Sequence, residues 1–90
     1  MAVEKEIRDF IVDNFLFGNR EKLPGDEDSF LEQGLIDSTG ILEVIGFSED
    51  KFGISVADDE IVPENFDSIG RLAKFVTRKM GLMAQDDARV

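Results

Sequence analysis

Apolar residues recur along this chain at helical intervals, with charges between them. Val3, Ile7, Phe10, Ile11, Phe15 and Leu16 form one such stripe, followed by Gly18 and Asn19, both good terminators. The pattern predicts a first helix over about residues 3 to 17. Periodicity then lapses from 19 to 37, a stretch holding Pro24, Gly25 and the acidic run Asp26-Glu27-Asp28. That reads as a long loop, with Phe30, Leu31, Leu35 and Ile36 available to pin it on a core. Loops of this length in small domains are more often functional than idle.

The helical period returns at Ser38. Asp37 precedes it as an N-cap whose carboxylate can accept from free backbone amides. Ile41, Leu42, Ile45 and Phe52 are expected to face inward, with Glu43, Gly46 and Asp50 outward and Gly53 ending the helix. Ile54 and Val56 then return to the core. A short helical turn over Asp58 to Val62 is expected to stop at Pro63. Asp67 or Ser68 caps a last helix, with Ile69, Leu72, Ala73 and Val76 inward and Gly81 closing it. Residues 82–90 lack periodicity and read as a frayed tail. No strand alternation occurs. The expected fold is all-α: a small bundle of three main helices plus one short helix, as one domain over 1–81. Phe10, Phe15, Phe52 and Phe66 read as core. Arg71, Lys74, Arg78 and Lys79 read as complements to the negative end of the last helix.

Composition narrows the chemistry. The 90 residues, 42% of them hydrophobic, suffice for one compact core. No apolar run is long enough to span a bilayer, and the start, MAVEKEIRDF, does not read as a signal peptide. Cysteine is absent, which excludes disulfides and thiolate metal sites and suits a reducing cytoplasm. Histidine is absent too, removing the usual general base and the Ser-His and Cys-His nucleophiles. The chain is therefore not expected to be an autonomous enzyme.

The net charge is −10, and it is segregated. Residues 26–67 hold 13 acids and a single base, Lys51, so this segment carries −12. Such a field disfavours nucleic acid and anionic membranes and steers basic protein surfaces toward the middle of the chain. The acids do not make a calcium loop. In DEDSFLEQGLID the fifth and sixth positions are Phe30 and Leu31, where an oxygen ligand and a glycine are needed. No phosphate-cradling glycine loop is present, and no metal site is expected.

What remains is Ser38 in the stretch GLIDSTG, followed by an amphipathic, acid-decorated helix. Together with FGI at its end, the acidic DDEIVPENF and the final SIGRLAKFV, this arrangement resembles the acyl carrier protein family over about residues 5 to 79. The resemblance implies that Ser38 is the attachment point for 4'-phosphopantetheine, delivered from coenzyme A by a phosphopantetheinyl transferase. It implies that cargo rides on that arm as a thioester. It implies that Asp37, Thr39, Glu43, Gly46, Glu49 and Asp50 meet partner enzymes: an amino acid:carrier protein ligase or acyl-activating ligase, and a downstream acyl or aminoacyl transferase. The expected state is a monomer. Fatty-acid carriers usually read DSL, and peptide-synthesis carriers have a GGxS lead-in. The DSTG text is closer to stand-alone bacterial aminoacyl carriers, on the strength of Thr39 and Gly40. A fatty-acid or polyketide carrier, an unmodified acidic adaptor and an enzyme subunit completed elsewhere are the alternatives. Two departures from the family habit stand out. Gly46 lies where a large apolar residue is usual, and Ser48 falls on the inner stripe, its hydroxyl within reach of the Val44 carbonyl.

Overall fold

The computed structural model describes residues 2–89, with side chains described for residues 3–81. It is all-helical among the described residues. α1 spans Ala2–Phe15, α2 Ser38–Phe52, α3 Pro63–Phe66 and α4 Ile69–Arg89, with 3₁₀ turns at Arg20–Lys22 and Asp58–Glu60. α4 is the hub: α1, α2 and α3 all pack against it. Val3, Ile7 and Ile11 of α1 meet Leu72, Phe75 and Val76 of α4 in a core closed by Phe30, Ile36, Val44, Ile54 and Phe66. Phe30, Phe66 and Phe75 are fully enclosed, each side chain contributing about 1.5–3 kcal/mol by leaving water.

α1 ends as the stripe predicts, through an unusual pair of residues. Phe17 and Gly18 both have positive φ, +53° and +82°. The chain reverses there, with Gly18 N–H donating to Val12 O at 2.8 Å and Asn19 N–H to Leu16 O at 2.9 Å. A left-handed phenylalanine costs about 1–2 kcal/mol relative to glycine, and its ring is 96% exposed.

The second half of the long loop is tied down at Asp67. The Asp67 carboxylate accepts from Ser29 Oγ and, at 3.0 Å, from Leu31 N–H. The Asp67 carbonyl accepts from Phe30 N–H at 2.8 Å. Phe30 and Ile36 are buried and Leu35 partly so, but Leu31, expected as a pin, is exposed. The loop acids are engaged as well, Asp26 across the fold and Asp28 within its own turn. Asp26 pairs with Arg8 at 2.9 Å, and the Asp28 carboxylate accepts from Gly25 N–H at 2.8 Å.

α2 corrects the expected inner stripe. Its buried residues are Gly40, Val44, Ile45 and Ser48, with Ile41 and Phe52 half-buried. Leu42 is 62% exposed. At 100° per residue Leu42 sits beside Ser38 on the outer face, whereas Val44 and Ser48 are buried; the period decides, not the apolar identity. Ser48 Oγ donates to Val44 O at 2.8 Å, as the sequence suggests. Gly53 ends the helix in the left-handed conformation, its N–H donating to Glu49 O at 3.0 Å.

Three further expectations change, at Pro63, at Gly81 and for the basic residues of α4, and the choice of cap between Asp67 and Ser68 is decided. Pro63 does not stop a helix; it begins α3, at the first helical position, where its missing N–H costs nothing. Ser68 caps α4, its Oγ accepting from Arg71 N–H at 3.1 Å, while Asp67 serves the loop. Gly81 does not close α4, whose backbone stays helical to Arg89. The basic residues of α4 therefore do not sit at its end. Lys79 pairs with Glu60 at 2.9 Å, and Arg78 and Lys79 lie 5.6 and 5.9 Å from the centre of the Phe75 ring. The frayed tail expected over 82–90 falls outside the described side chains. Of the four core phenylalanines expected, Phe66 is enclosed, and Phe10, Phe15 and Phe52 pack half-buried against the core.

Candidate functional site

Ser38 is the first residue of α2, and local chemistry puts it there. Asp37 has extended backbone and its Oδ1 accepts from Gly40 N–H at 2.8 Å, closing the helix start. The next side chain must then turn outward. Ser38 is exposed, and its hydroxyl has no hydrogen-bond partner among the described residues.

Packing beneath this turn fixes its position. Gly40 is buried against α1 and the loop: a Cβ there would lie 2.8 Å from Ile36 Cγ2 and 3.1 Å from Phe15 Cε1. α2 thus rests its first turn on Ile36 and the Phe15 ring through contacts that an added methyl group would crowd. Gly40, read in sequence as a mark of subtype, has a steric reason to be there.

Beside Ser38 lies a groove of about 210 Å³. Leu31, Ile41, Ile61, Val62, Pro63 and Phe66 line it, so its surface is mostly apolar. Its far wall is the segment between the 3₁₀ turn and α3, braced from two sides. Glu60 Oε1 accepts from Ala57 N–H at 3.0 Å and from Lys79 Nζ at 2.9 Å. Asn65 Nδ2 donates to Glu60 O at 2.9 Å. The Ala57 amide, and then the Lys79 ammonium, hold the Glu60 carboxyl below the usual carboxylate range. The sequence showed this wall as a short helix but gave no sign that it faces Ser38.

The expected partner residues divide by what they touch. Glu43 and Asp50 are exposed and make no ion pair or hydrogen bond through their carboxylates among the described residues. Thr39 is exposed on the same side. Gly46 is half-buried, with open space where a side chain would begin. Glu49 is engaged inside the fold, its Oε2 accepting from Val56 N–H at 3.0 Å and tying α2 to the segment that follows. Asp37 spends one oxygen on the cap. Leu42, four residues after Ser38, adds an exposed apolar side chain to this face; a helical wheel started at Ser38 finds it. Phe47 was not singled out in the sequence, and its ring stacks on Phe10, centroids 4.1 Å apart and planes 17° from parallel.

No helix among the described residues is long and apolar enough to cross a membrane. No group of histidine, cysteine or acidic side chains among the described residues is placed to hold a metal ion. Compared with models of known protein families and with curated proteins, the chain matches none.

Proposed function

We propose that the chain is a carrier protein, modified at Ser38 with 4'-phosphopantetheine and acting as the shared substrate of partner enzymes rather than as an enzyme. One observation carries this reading: an exposed, unpartnered serine hydroxyl stands at the first residue of a 15-residue helix, on the rim of an apolar groove.

The residues fit such a group. A phosphodiester on Ser38 would lie at the positive end of α2, where the first amides have no carbonyl four residues back. When attached, the arm supplies the thiol that the chain itself lacks, and cargo is carried on it as a thioester. Nothing in the chain activates the Ser38 hydroxyl, so a transferase must provide the base. The Ser38 oxygen then bonds to phosphorus, and the adenosine bisphosphate half of coenzyme A leaves. Glu43 and Asp50, unpaired on the same face, attract basic enzyme surfaces. Each exposed pair is worth about 0–1 kcal/mol, which favours fast encounter and fast release.

The groove, about 210 Å³ and partly open to solvent, has room for an amino-acid side chain or a short acyl group. The aminoacyl form, loaded by an amino acid:carrier protein ligase, rests on the DSTG text and is compatible with this size. The test is intact mass after incubation with coenzyme A and a broad phosphopantetheinyl transferase, beside Ser38→Ala. A gain on the wild type alone is expected. No gain on either protein would favour the unmodified adaptor.

A further inference from the structure

The groove beside Ser38 is lined by apolar residues with one charged exception, Asp67. Asp67 is buried, only 8% exposed. We propose that its carboxylate receives the ammonium of a short aliphatic aminoacyl cargo, so that the groove selects amino acids over plain acyl groups.

The fold answers the charge of Asp67 only in part. Ser29 Oγ donates to one carboxylate oxygen, and Leu31 N–H donates to the other at 3.0 Å. Both donors are neutral. A carboxylate offers about four acceptor positions, so about half of them stay open. Asp67 makes no ion pair among the described residues. Arg71 shares a neighbouring polar groove with it, but the Arg71 guanidinium donates to Pro63 O at 3.4 Å. Lys79 is taken by Glu60. Buried charges are ordinarily paired or bound to a metal. No group of side chains among the described residues is placed to hold a metal there. A cation brought in from outside is the partner that the site lacks.

The walls decide which cation. Ile41, Ile61, Val62 and Phe66 surround a space of about 210 Å³. An occupant must carry hydrocarbon beside its charge to match them. An aminoacyl group does both. Its α-amino group is largely protonated at neutral pH and brings donors for the open positions of the carboxylate, while a valine-sized side chain lies against the apolar walls. A plain acyl group of the same shape would cover the carboxylate and pair with nothing, which disfavours it.

How the cargo reaches the groove rests on the reading of Ser38 above; the selectivity of the groove is testable on the unmodified chain. The probes are valinamide and 2,3-dimethylbutanamide, in which a methyl group replaces the ammonium. Each is titrated into ¹⁵N,¹³C-labelled protein at about 0.15 M salt, which screens exposed acids more than a buried one. Valinamide should bind about tenfold more tightly than its isostere. It should move the amides of Leu31, Ile61 and Phe66 and the carboxyl carbon of Asp67. Asp67→Asn keeps an oxygen acceptor for Leu31 N–H and removes the charge; checked for folding by circular dichroism, it should bind the two amides equally. Ser29→Ala removes a neutral donor and keeps the charge, so the preference should persist. Should Asp67→Asn fail to fold, the wild-type carboxyl carbon decides, since it should respond to valinamide and not to the isostere. Equal binding of the two amides by the wild type, a preference that survives Asp67→Asn, or valinamide shifts centred on Glu43 and Asp50 would overturn the assignment. Equal binding leaves the mass test of Ser38 intact, and failure of the mass test leaves the amide titration standing.

Discussion

Replacing each of two glycines in α2 by alanine should give a gain in stability at one and no gain, or a loss, at the other, and that contrast tests how the serine is positioned. In a helix, alanine is favoured over glycine by about 1 kcal/mol. At Gly46 nothing lies within 4 Å of the added methyl group, so Gly46→Ala should gain most of that amount. At Gly40 the methyl would meet Ile36 Cγ2 at 2.8 Å and Phe15 Cε1 at 3.1 Å. Ile36 is buried and β-branched, so the obstructing atom is not the free end of a flexible chain. Overpacking of this kind costs about 1–3 kcal/mol, which offsets the helical gain and leaves Gly40→Ala level with the wild type or up to about 2 kcal/mol less stable. Urea unfolding with an unchanged m-value is the assay. A change of about 1 kcal/mol also moves the melting temperature by roughly 4–8 °C in a domain of this size. If Gly40→Ala gains as much as Gly46→Ala, α2 does not rest on Phe15, and the account of why Ser38 projects where it does is wrong.

Other outcomes follow from the same contacts. Asp67→Ala removes the acceptor of Ser29 Oγ and Leu31 N–H; it should cost about 2–4 kcal/mol and speed amide exchange at Leu31, and unchanged exchange there would refute the anchoring role. Asp9 is held by hydrogen bonds from Arg20 first and Lys5 second, which lower its pKa to about 2. Its folded value lies below that of a free aspartate, so its stabilising contribution is complete above about pH 4 and is lost as pH falls toward 2; carbon-detected NMR titration should show this, and Arg20→Gln should raise the midpoint. Lys79→Met removes one of the two donors to Glu60; the Glu60 carboxyl should titrate closer to an ordinary glutamate and exchange at Ile61 should quicken, whereas an unmoved Glu60 would show that the Ala57 amide alone braces the groove wall.

Much of the fold was readable where a local rule decides it. The stripe from Val3 to Leu16, the Asp37 cap, the Gly53 terminator and the Ser68 cap each depend on a few neighbouring residues. Errors arose where two rules compete. Leu42 is apolar, but the period places it outside, and burial on the other face fell to Val44 and to a serine whose hydroxyl bonds its own helix. Pro63 is both a helix breaker and a good first residue, and here it is the latter. Gly81 lies inside α4 because a lone glycine weakens a helix by about 1 kcal/mol without ending it. Ser38 was legible for the same local reason as the caps. The groove beside it was not, because Ile41 and Ile61 are brought together by packing on α4 rather than by any pattern between them. The Phe10–Phe47 stack was not legible either, because it needs α1 and α2 placed side by side.

The most direct test of the account is to locate the added group. Protein treated with coenzyme A and transferase is digested, and the peptide spanning GLIDSTG is fragmented in the mass spectrometer. The account predicts one phosphopantetheine per chain, on Ser38 and not on the adjacent Thr39. Its appearance on another residue, or an unmodified Ser38 after complete reaction of a control carrier, would contradict it.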